Sequence, residues 1–264
     1  MELKSLSRGV QIIEFFTYEK PVLNFDEIKV CCRFPESTLY RFLDNLTRAG
    51  LLKLNPLTKE YRLGELFIRL GQVAQRGIPL LELCYPLMRR LSAETGESVF
   101  LSIREGEEKV CVSSVESGKR PIRYVPRPAS VAPLHVGASG KSILAFVRQD
   151  EISALVDKRK LVSMTPKTII NKVKLKRCLV RIREDGYDYS EGESVPGAWG
   201  LGFPIFDPTG NACASLTLAG TMLDPPGRRL KTFVAIMKRA VSEIERELWK
   251  TGQEVRKAIS RFPQ

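Results

Sequence analysis

Hydrophobic positions in roughly the first sixty residues fall into three short helical patterns and one hairpin. Leu6, Val10, Ile13 and Phe16 (or Phe15) recur at helical spacing and predict a helix over 5–18 with these residues on one face. After Pro21, Asn24 is a good N-cap, Glu27 stands three residues on, and Leu23 and Ile28 suit the apolar staple across a helix start. A second helix is therefore predicted to about Cys32. The break Arg33-Phe34-Pro35 leads to a third helix, with Pro35 near the first turn, where its missing N–H costs nothing, and Gly50 suited to the C-terminal cap. On that helix Leu39, Phe42, Leu43 and Leu46 form one stripe. Ser37, Arg41, Asp44 and Arg48 point the opposite way, with Thr38 and Asn45 flanking on one side and Tyr40 on the other. Short extended runs at 51–54 and 60–63 enclose Asn55-Pro56-Leu57-Thr58-Lys59, a hairpin with Lys53, Lys59 and Arg62 around its tip. Helix, helix, short break, helix, hairpin is the order of a winged helix-turn-helix, whose third helix enters a DNA major groove.

A further helix over about 65–75 has Leu66, Leu70 and Val73 on one side and ends at the linker Arg76-Gly77-Ile78-Pro79. Beyond it the pattern changes to strands mixed with helices. Strands are predicted at 98–103, 109–114 and 121–125, and helices at 86–95, 137–147 and 172–184, the last closing at Gly186. Runs at 201–206 and 213–219 bracket the turn Asp207-Pro208-Thr209-Gly210, and Leu230, Phe233, Val234, Met237, Val241, Ile244 and Leu248 mark a long amphipathic helix. With no regular βαβ alternation, the expectation is an α+β fold with an antiparallel sheet. The expected organisation is a winged helix-turn-helix domain at 1–64, a linker helix at 65–78, a second domain at 79–252 and a tail at 253–264.

Composition narrows the class. In 264 residues, 43% are apolar and 27% charged, enough for a packed core and ordinary for a globular chain. No run of 18 apolar residues occurs, so a membrane span is not expected, and the N-terminus lacks a secretory pattern; the expected location is cytoplasmic. Cysteines at 31, 32, 84, 111, 178 and 213 form no C-x-x-C, and one histidine, His135, does not complete a zinc cluster. Reduced, mostly buried cysteines and no bound metal or cofactor are expected. The net charge of +12 favours a polyanionic partner. Its distribution does not locate that partner, because residues 1–78 carry +3 and residues 158–183 alone hold ten basic residues and no acid. That basic stretch reads as a solvated helix face.

The candidate chemistry is sparse. Gly140-Lys141-Ser142 ends like a phosphate-binding loop, but the glycine such a loop needs five residues before Gly140 is His135 here. No G-x-S-x-G accompanies His135, which reads as a structural hydrogen-bonder. Asp185, Asp188, Glu191 and Glu193 read as a polar loop, and Tyr187, Tyr189 and Trp199 either line a pocket or pack as alternate strand residues. The exposed start of the third helix is the stronger case: Ser37, Thr38, Tyr40 and Arg41 stand where a reading helix meets bases and phosphates.

Taken along its length from about residue 3 to 249, the chain resembles the isocitrate lyase regulator (IclR) family of bacterial transcription factors. The resemblance rests on Ser5-Leu6-Ser7-Arg8-Gly9-Val10-Gln11-Ile12-Ile13-Glu14, Pro35-Glu36-Ser37-Thr38-Leu39-Tyr40-Arg41-Phe42-Leu43 and Tyr61-Arg62-Leu63-Gly64. In the second domain it rests on Pro133-Leu134-His135 with Ala138-Ser139-Gly140-Lys141, Thr165-Pro166-Lys167-Thr168-Ile169, Ile182-Arg183-Glu184-Asp185-Gly186-Tyr187 and Pro204-Ile205-Phe206-Asp207. It implies a linker helix that pairs protomers, a GAF-like effector-binding domain, and a homodimer or homotetramer on a pseudo-palindromic double-stranded DNA operator. Effectors would be small organic acids or aromatic catabolites. The implied pocket lies where Ala138 and Ser139 meet the strands, and Ser190, Gly200, Thr217 and Ala219 align with an aspartate, a cysteine and two serines of acid-binding members. With Phe100 and Trp199 nearby, this set implies either a larger, more apolar effector or none.

The expected function is thus a non-enzymatic, ligand-responsive regulator, either repressor or activator. Ser37, Thr38, Tyr40, Arg41 and Asn45 would face the groove, with Lys53, Lys59 and Arg8 on phosphates. Phe100, Ala138, Ser139, Ser190, Trp199, Gly200, Thr217 and Ala219 would hold the ligand. Two rivals stand beside it: a constitutive DNA binder with a degenerate effector domain, and an enzyme working through His135 or Lys141.

Overall fold

Local capping signals build the first of two separately packed units, Met1–Gly77 and Ile78–Gln264. The structure is a computed structural model that describes residues 3–32, 34–76, 79–158 and 160–259. Helix α1 spans Lys4–Glu14, strand β1 Val22–Leu23, helix α2 Phe25–Cys31 and helix α3 Glu36–Arg48. Strands β2 (Leu52–Leu54) and β3 (Tyr61–Leu63) and helix α4 (Leu66–Arg76) complete the unit. The Asn24 side chain accepts from the Glu27 N–H at 3.0 Å, and Glu27 accepts from the Asn24 N–H at 2.9 Å, so α2 starts in a full capping box. Leu23 and Ile28 are both buried beside it. At the far end of α3, Leu51 N–H donates to Leu46 O and Gly50 N–H to Thr47 O, with Gly50 at φ +74°, closing the helix as glycine readily does. Leu39, Leu43 and Leu46 of α3 pack with Ile12, Phe16, Ile28 and Leu52 in one core.

Three expectations need correcting in this unit. Helix α1 stops at Glu14 rather than at 18, because Thr17 and Lys20 bond each other, Thr17 N–H to Lys20 O and Lys20 N–H to Thr17 Oγ1, and turn the chain toward β1. The buried face of α1 is Gly9 and Ile12, followed by Phe16, whereas Leu6 (65% exposed) and Val10 (45%) face outward. Likewise α4 leaves Leu70 and Val73 exposed, with Ile68. Strand β1, whose two residues carry no period, takes the edge of β3 opposite β2, giving the order β1-β3-β2. Arg33 and the Gly77-Ile78 part of the linker lie outside the described residues.

The second unit is a six-stranded antiparallel sheet clad on both faces. In chain order its elements are α5 (Pro79–Thr95), β4 (Ser98–Glu105), β5 (Glu108–Val115), β6 (Val131–Pro133), α6 (Gly137–Leu144), α7 (Gln149–Lys158) and α8 (Lys172–Asp185). They continue with β7 (Asp188–Glu191), β8 (Ala198–Phe206), β9 (Ala212–Thr221) and α9 (Leu230–Ile259). Strand order is β6-β5-β4-β9-β8-β7. Alternation along each strand divides its residues between two cores. Val99, Leu101, Trp199, Leu201, Phe203, Leu216 and Leu218 meet Cys84, Met88 and Leu91 of α5 and Phe233, Met237, Val241 and Ile244 of α9. Leu134, Ile143, Leu144, Ile152, Val156, Leu175, Leu179 and Ile182 form the core of the helical layer built from α6, α7 and α8.

Here too the local rules bend. Helix α5 begins at Pro79 rather than at 86 and runs through Pro86; burial of Leu80 and Cys84 in line with Leu87, Met88 and Leu91 offsets an interior proline's cost of about 3 kcal/mol. Residues 121–125 form no strand. The outer edge of β5 is instead taken by 129–133: Cys111 N–H donates to Ser130 O, Ala129 N–H to Cys111 O, and β6 pairs with 108–110. Helix α7 lies beyond the predicted elements; Ile152, Leu155 and Val156 form its one buried face. Helix α8 ends at Gly186 with φ +78°, as expected, and turns most of its basic residues to solvent. The expected tail at 253–264 is corrected in its first part, since α9 continues through 253–259, and 260–264 lie outside the described residues.

All eight residues of α6 are buried, which demands close approach to the sheet. A Cβ on Gly202 would lie 2.7 Å from the Ala138 backbone, and one on Gly140 would lie 2.4 Å from Leu134 O. Gly202→Ala is therefore expected to cost about 1–3 kcal/mol as overpacking, read as a lower urea midpoint with unchanged slope. A wild-type midpoint would show that α6 can move away freely.

Candidate functional site

Two regions gather the sequence-predicted residues. In the first unit, burial of Leu39, Leu43 and Leu46 turns Ser37, Tyr40, Arg41 and Asn45 outward, while Thr38 is half-buried. Tyr40 is 55% exposed yet held, its ring stacked on Phe25 at 4.1 Å. An ion pair from Lys29 of α2 to Glu36 pins the first turn of α3. Lys59 sits exposed in the hairpin turn at φ +59°, where Asn55 Oδ1 accepts from the Leu57 and Thr58 amides. Two of the expected cations are engaged in place. The Arg8 guanidinium lies over the Phe34 ring at 5.1 Å, and Lys53 Nζ is 3.0 Å from Glu65 Oε1. Glu65 also takes Arg62 at 2.6 Å, and these partners hold its carboxyl down at about 2, Arg62 first. All these groups are exposed, so the pairs yield readily to a competing anion.

In the second unit a cavity of about 180 Å³ opens between the sheet and the start of α6. Phe100, Ala138, Ser139, Ser190, Trp199, Gly200, Thr217 and Ala219 all line it. Their grouping follows from strand parity: Phe100 faces Thr217, and Gly200 faces both Ser190 and Ala219, across neighbouring strands. Trp199 is the exception to the expected arrangement. It borders the cavity, but strand alternation sends its indole to the other face, stacked on Phe233 at 6.3 Å and near Tyr189.

Charge in this region was the part that the residue pattern did not disclose. Lys109 (8% exposed) and Lys141 (1%) are both buried, with Asp188 and Glu193. Lys141 Nζ lies 3.1 Å from Asp188 Oδ2 and 2.5 Å from Glu193 Oε1, while Asp188 also takes Arg181 at 3.2 Å. Burial works against the Lys141 charge, but Asp188 and Glu193 outweigh it and raise its pKa above the ordinary lysine value. The Gly-Lys-Ser tripeptide is thus an inward ion pair within α6 rather than a phosphate loop. Glu193 further accepts from the Gly137 N–H at 3.3 Å. Gly137, at φ +71°, sits where a side chain would be strained, and a Cβ there would approach Ser194 Oγ at 2.2 Å. His135 Nε2 donates to Val162 O at 2.9 Å, and burial lowers its pKa, so the ring is a neutral structural tie. Lys109 Nζ donates to Ser139 Oγ at 2.5 Å and Val136 O at 2.8 Å, and it lines the cavity. Lys109 shares strand parity with Cys111, a signal masked because a lysine on a strand ordinarily marks the solvated face.

Among the described residues no group of three or more His, Cys, Asp or Glu is disposed to hold a metal ion, and no helix is long and apolar enough to cross a membrane. Lys141→Met would leave buried Glu193 without a cation and Asp188 with Arg181 alone, and is expected to cost about 3–5 kcal/mol in chemical denaturation. Replacing Lys141, Asp188 and Glu193 together by apolar residues should cost clearly less; equal losses would show that the charges matter only as packing volume.

Comparison with known proteins agrees with this architecture. The family model described as the bacterial transcriptional regulator IclR C-terminal domain matches residues 72–246. The HTH-type transcriptional regulator KipR of Bacillus subtilis is 28% identical over 247 residues, covering 93% of this chain and 97% of its own. The crystal structure of the Thermotoga maritima IclR superposes with a TM-score of 0.70 at 28% identity, covering 94% of this chain and 100% of that one. An IclR homolog complexed with 4-hydroxybenzoate from Microbacterium hydrocarbonoxydans gives 0.76 at 24% identity, covering 92% and 98%. Regulator names, none of them an enzyme's, run through these relatives, and the family match spans well over half of a chain whose fold agrees: this protein belongs to the IclR family of bacterial transcriptional regulators.

Proposed function

We propose that the chain is an effector-responsive regulator that binds double-stranded operator DNA through its first unit and a small organic acid or aromatic compound in its second. In this reading α2, α3 and the β2–β3 hairpin act as a winged helix-turn-helix. Ser37, Thr38, Tyr40, Arg41 and Asn45 meet base edges and nearby phosphates, and Lys53, Lys59 and Arg8 meet phosphates. The second unit acts as a GAF-like effector domain. The observation that carries the proposal is the outward face of α3: its apolar side is fully used in the core, and what remains is a hydrogen-bonding surface with an arginine that has no partner among the described ion pairs. Binding to a two-fold operator needs two such faces. The exposed apolar residues Leu3, Leu6 and Val10 of the α1 segment and Ile68, Leu70 and Val73 of α4 support a homodimer or homotetramer, since water-exposed apolar faces of this extent favour burial against another copy.

The effector acts on DNA affinity only as far as it prefers one arrangement of the reading heads over another. The 4-hydroxybenzoate complex of the Microbacterium homolog supports the aromatic-acid class for the cavity here.

The test uses the full chain and a duplex selected from a random pool. Arg41→Ala is expected to weaken binding roughly 5- to 150-fold, the worth of about 1–3 kcal/mol for one bidentate base contact, and to relax preference at one position. Lys59→Ala should weaken all sequences alike and lower the salt slope by about one. Unchanged affinity and sequence preference in Arg41→Ala would overturn the assignment of α3 as the reading helix.

A further inference from the structure

We propose that Lys109 is the anion-recognising group of the cavity, and that its ligand is a monocarboxylate with an apolar body of about benzoate size. This deepens the effector reading above and rests on it.

Three observations combine. First, charge is uneven around the cavity. Lys141 is matched by Asp188 and Glu193, and Asp188 also by Arg181. Lys109, equally enclosed, donates to a hydroxyl and a carbonyl, and among the described residues no carboxylate lies within ion-pair distance of it. An ammonium out of water with dipoles alone is costly, and an incoming anion removes that cost. Second, the ammonium sits at the start of α6, against Val136 O and Ser139 Oγ, where the first-turn amides add positive potential of their own. Because Ser139 accepts from Lys109, its own O–H proton is free to donate toward the same anion. Third, Glu193 borders the cavity but is taken by Lys141, and beside serine and threonine hydroxyls the other walls are mostly apolar, among them Phe100, Tyr124, Val131, Met164 and Ala219. A cavity of roughly 150 Å³ holds a benzene ring, so about 180 Å³ accommodates that ring with a carboxylate. One unmatched cation selects one negative charge; a dianion would bring a second with nothing to meet it.

Titration supplies an independent handle. Burial pushes the Lys109 ammonium down to about 8, with Lys141 adding to the effect and Glu193, Cys111 and Asp188 opposing it. His135 is near enough to feel Lys109 and is itself held neutral. A bound carboxylate favours the charged form. At pH 8.5, above the free value, binding should therefore take up a proton, and acid affinity should fall as pH rises through about 8.

The experiment is calorimetry on the full chain with benzoate, phenylacetate and 3-methylbutanoate, each compared with its primary amide. At pH 7 at least one acid should bind more than tenfold tighter than its amide. In Lys109→Met and Lys109→Gln, either of which suffices if it melts cooperatively, the acid should lose at least tenfold while the amide shifts less than threefold. Titration at pH 8.5 in two buffers of different ionisation enthalpy should show proton uptake in wild type and none in the variants; a merely structural lysine would not produce that difference. Equal binding of acid and amide, an unchanged acid affinity in the variants, or no binding by any of the three acids at millimolar concentration would overturn the assignment. A neutral compound that binds and alters DNA affinity would remove Lys109's role and leave the effector reading intact. An acid that binds through Lys109 without changing DNA affinity would do the reverse.

Discussion

The second unit depends on how closely one short helix can lie on a sheet. Every residue of α6 is buried, so its backbone must approach β8 at a distance where a methyl group on Gly202 would collide with Ala138. That approach has two consequences. It seats Lys141 among the carboxylates of Asp188 and Glu193, out of water, where the ion pairs must be complete to be tolerated. It also leaves the start of the helix facing a cavity rather than packed apolar side chains, because the strand residues opposite are as small as Gly200 and Ala219. Small residues thus produce both the tight contact and the empty space beside it.

The first unit applies the same economy to a helix that must be held and displayed at once. Helix α3 gives three leucines to a core shared with α1, α2 and β2, and is closed by a left-handed Gly50. With one face committed, the polar residues have nowhere to point but outward. Lys29 to Glu36 and Phe25 under Tyr40 fix the first turn without consuming the groups on that face. The hairpin cations differ: Lys53 and Arg62 share Glu65 in exposed pairs that a competing anion can displace.

Family membership and cavity chemistry are separate kinds of conclusion here. Membership follows from matches along most of the chain, and it places the protein among transcriptional regulators. In the cavity, Gly200 and Ala219 put no polar side chain on the strands, Ser190 and Thr217 supply hydroxyls, and Lys109 brings a cation from β5. On the proposal that Lys109 recognises the anion, such a site would select by the ligand's charge and apolar bulk.

Sequence alone determined what depends on neighbours a few residues apart. The capping box at Asn24, the glycine closures at Gly50 and Gly186, the turn after Phe206 and the division of α3 into greasy and polar sides are local, and each appears where the pattern put it. The resemblance picked out the eight residues that line one cavity; strand parity accounts for Phe100, Ser190, Gly200, Thr217 and Ala219 but sends the Trp199 indole to the other face. Tertiary structure decided whatever depends on partners far along the chain. Leu6 and Val10 look like core residues in a helical period, yet α1 buries Gly9 and Ile12 instead. Residues 121–125 look like a strand, yet β5 already has its edge partner at 129–133. Lys109 looks like a solvated strand position, yet a sheet covered on both faces has no wet side for it to reach. Local hydrogen bonds and periodicity act within a few residues, whereas burial is a property of the whole assembly of layers.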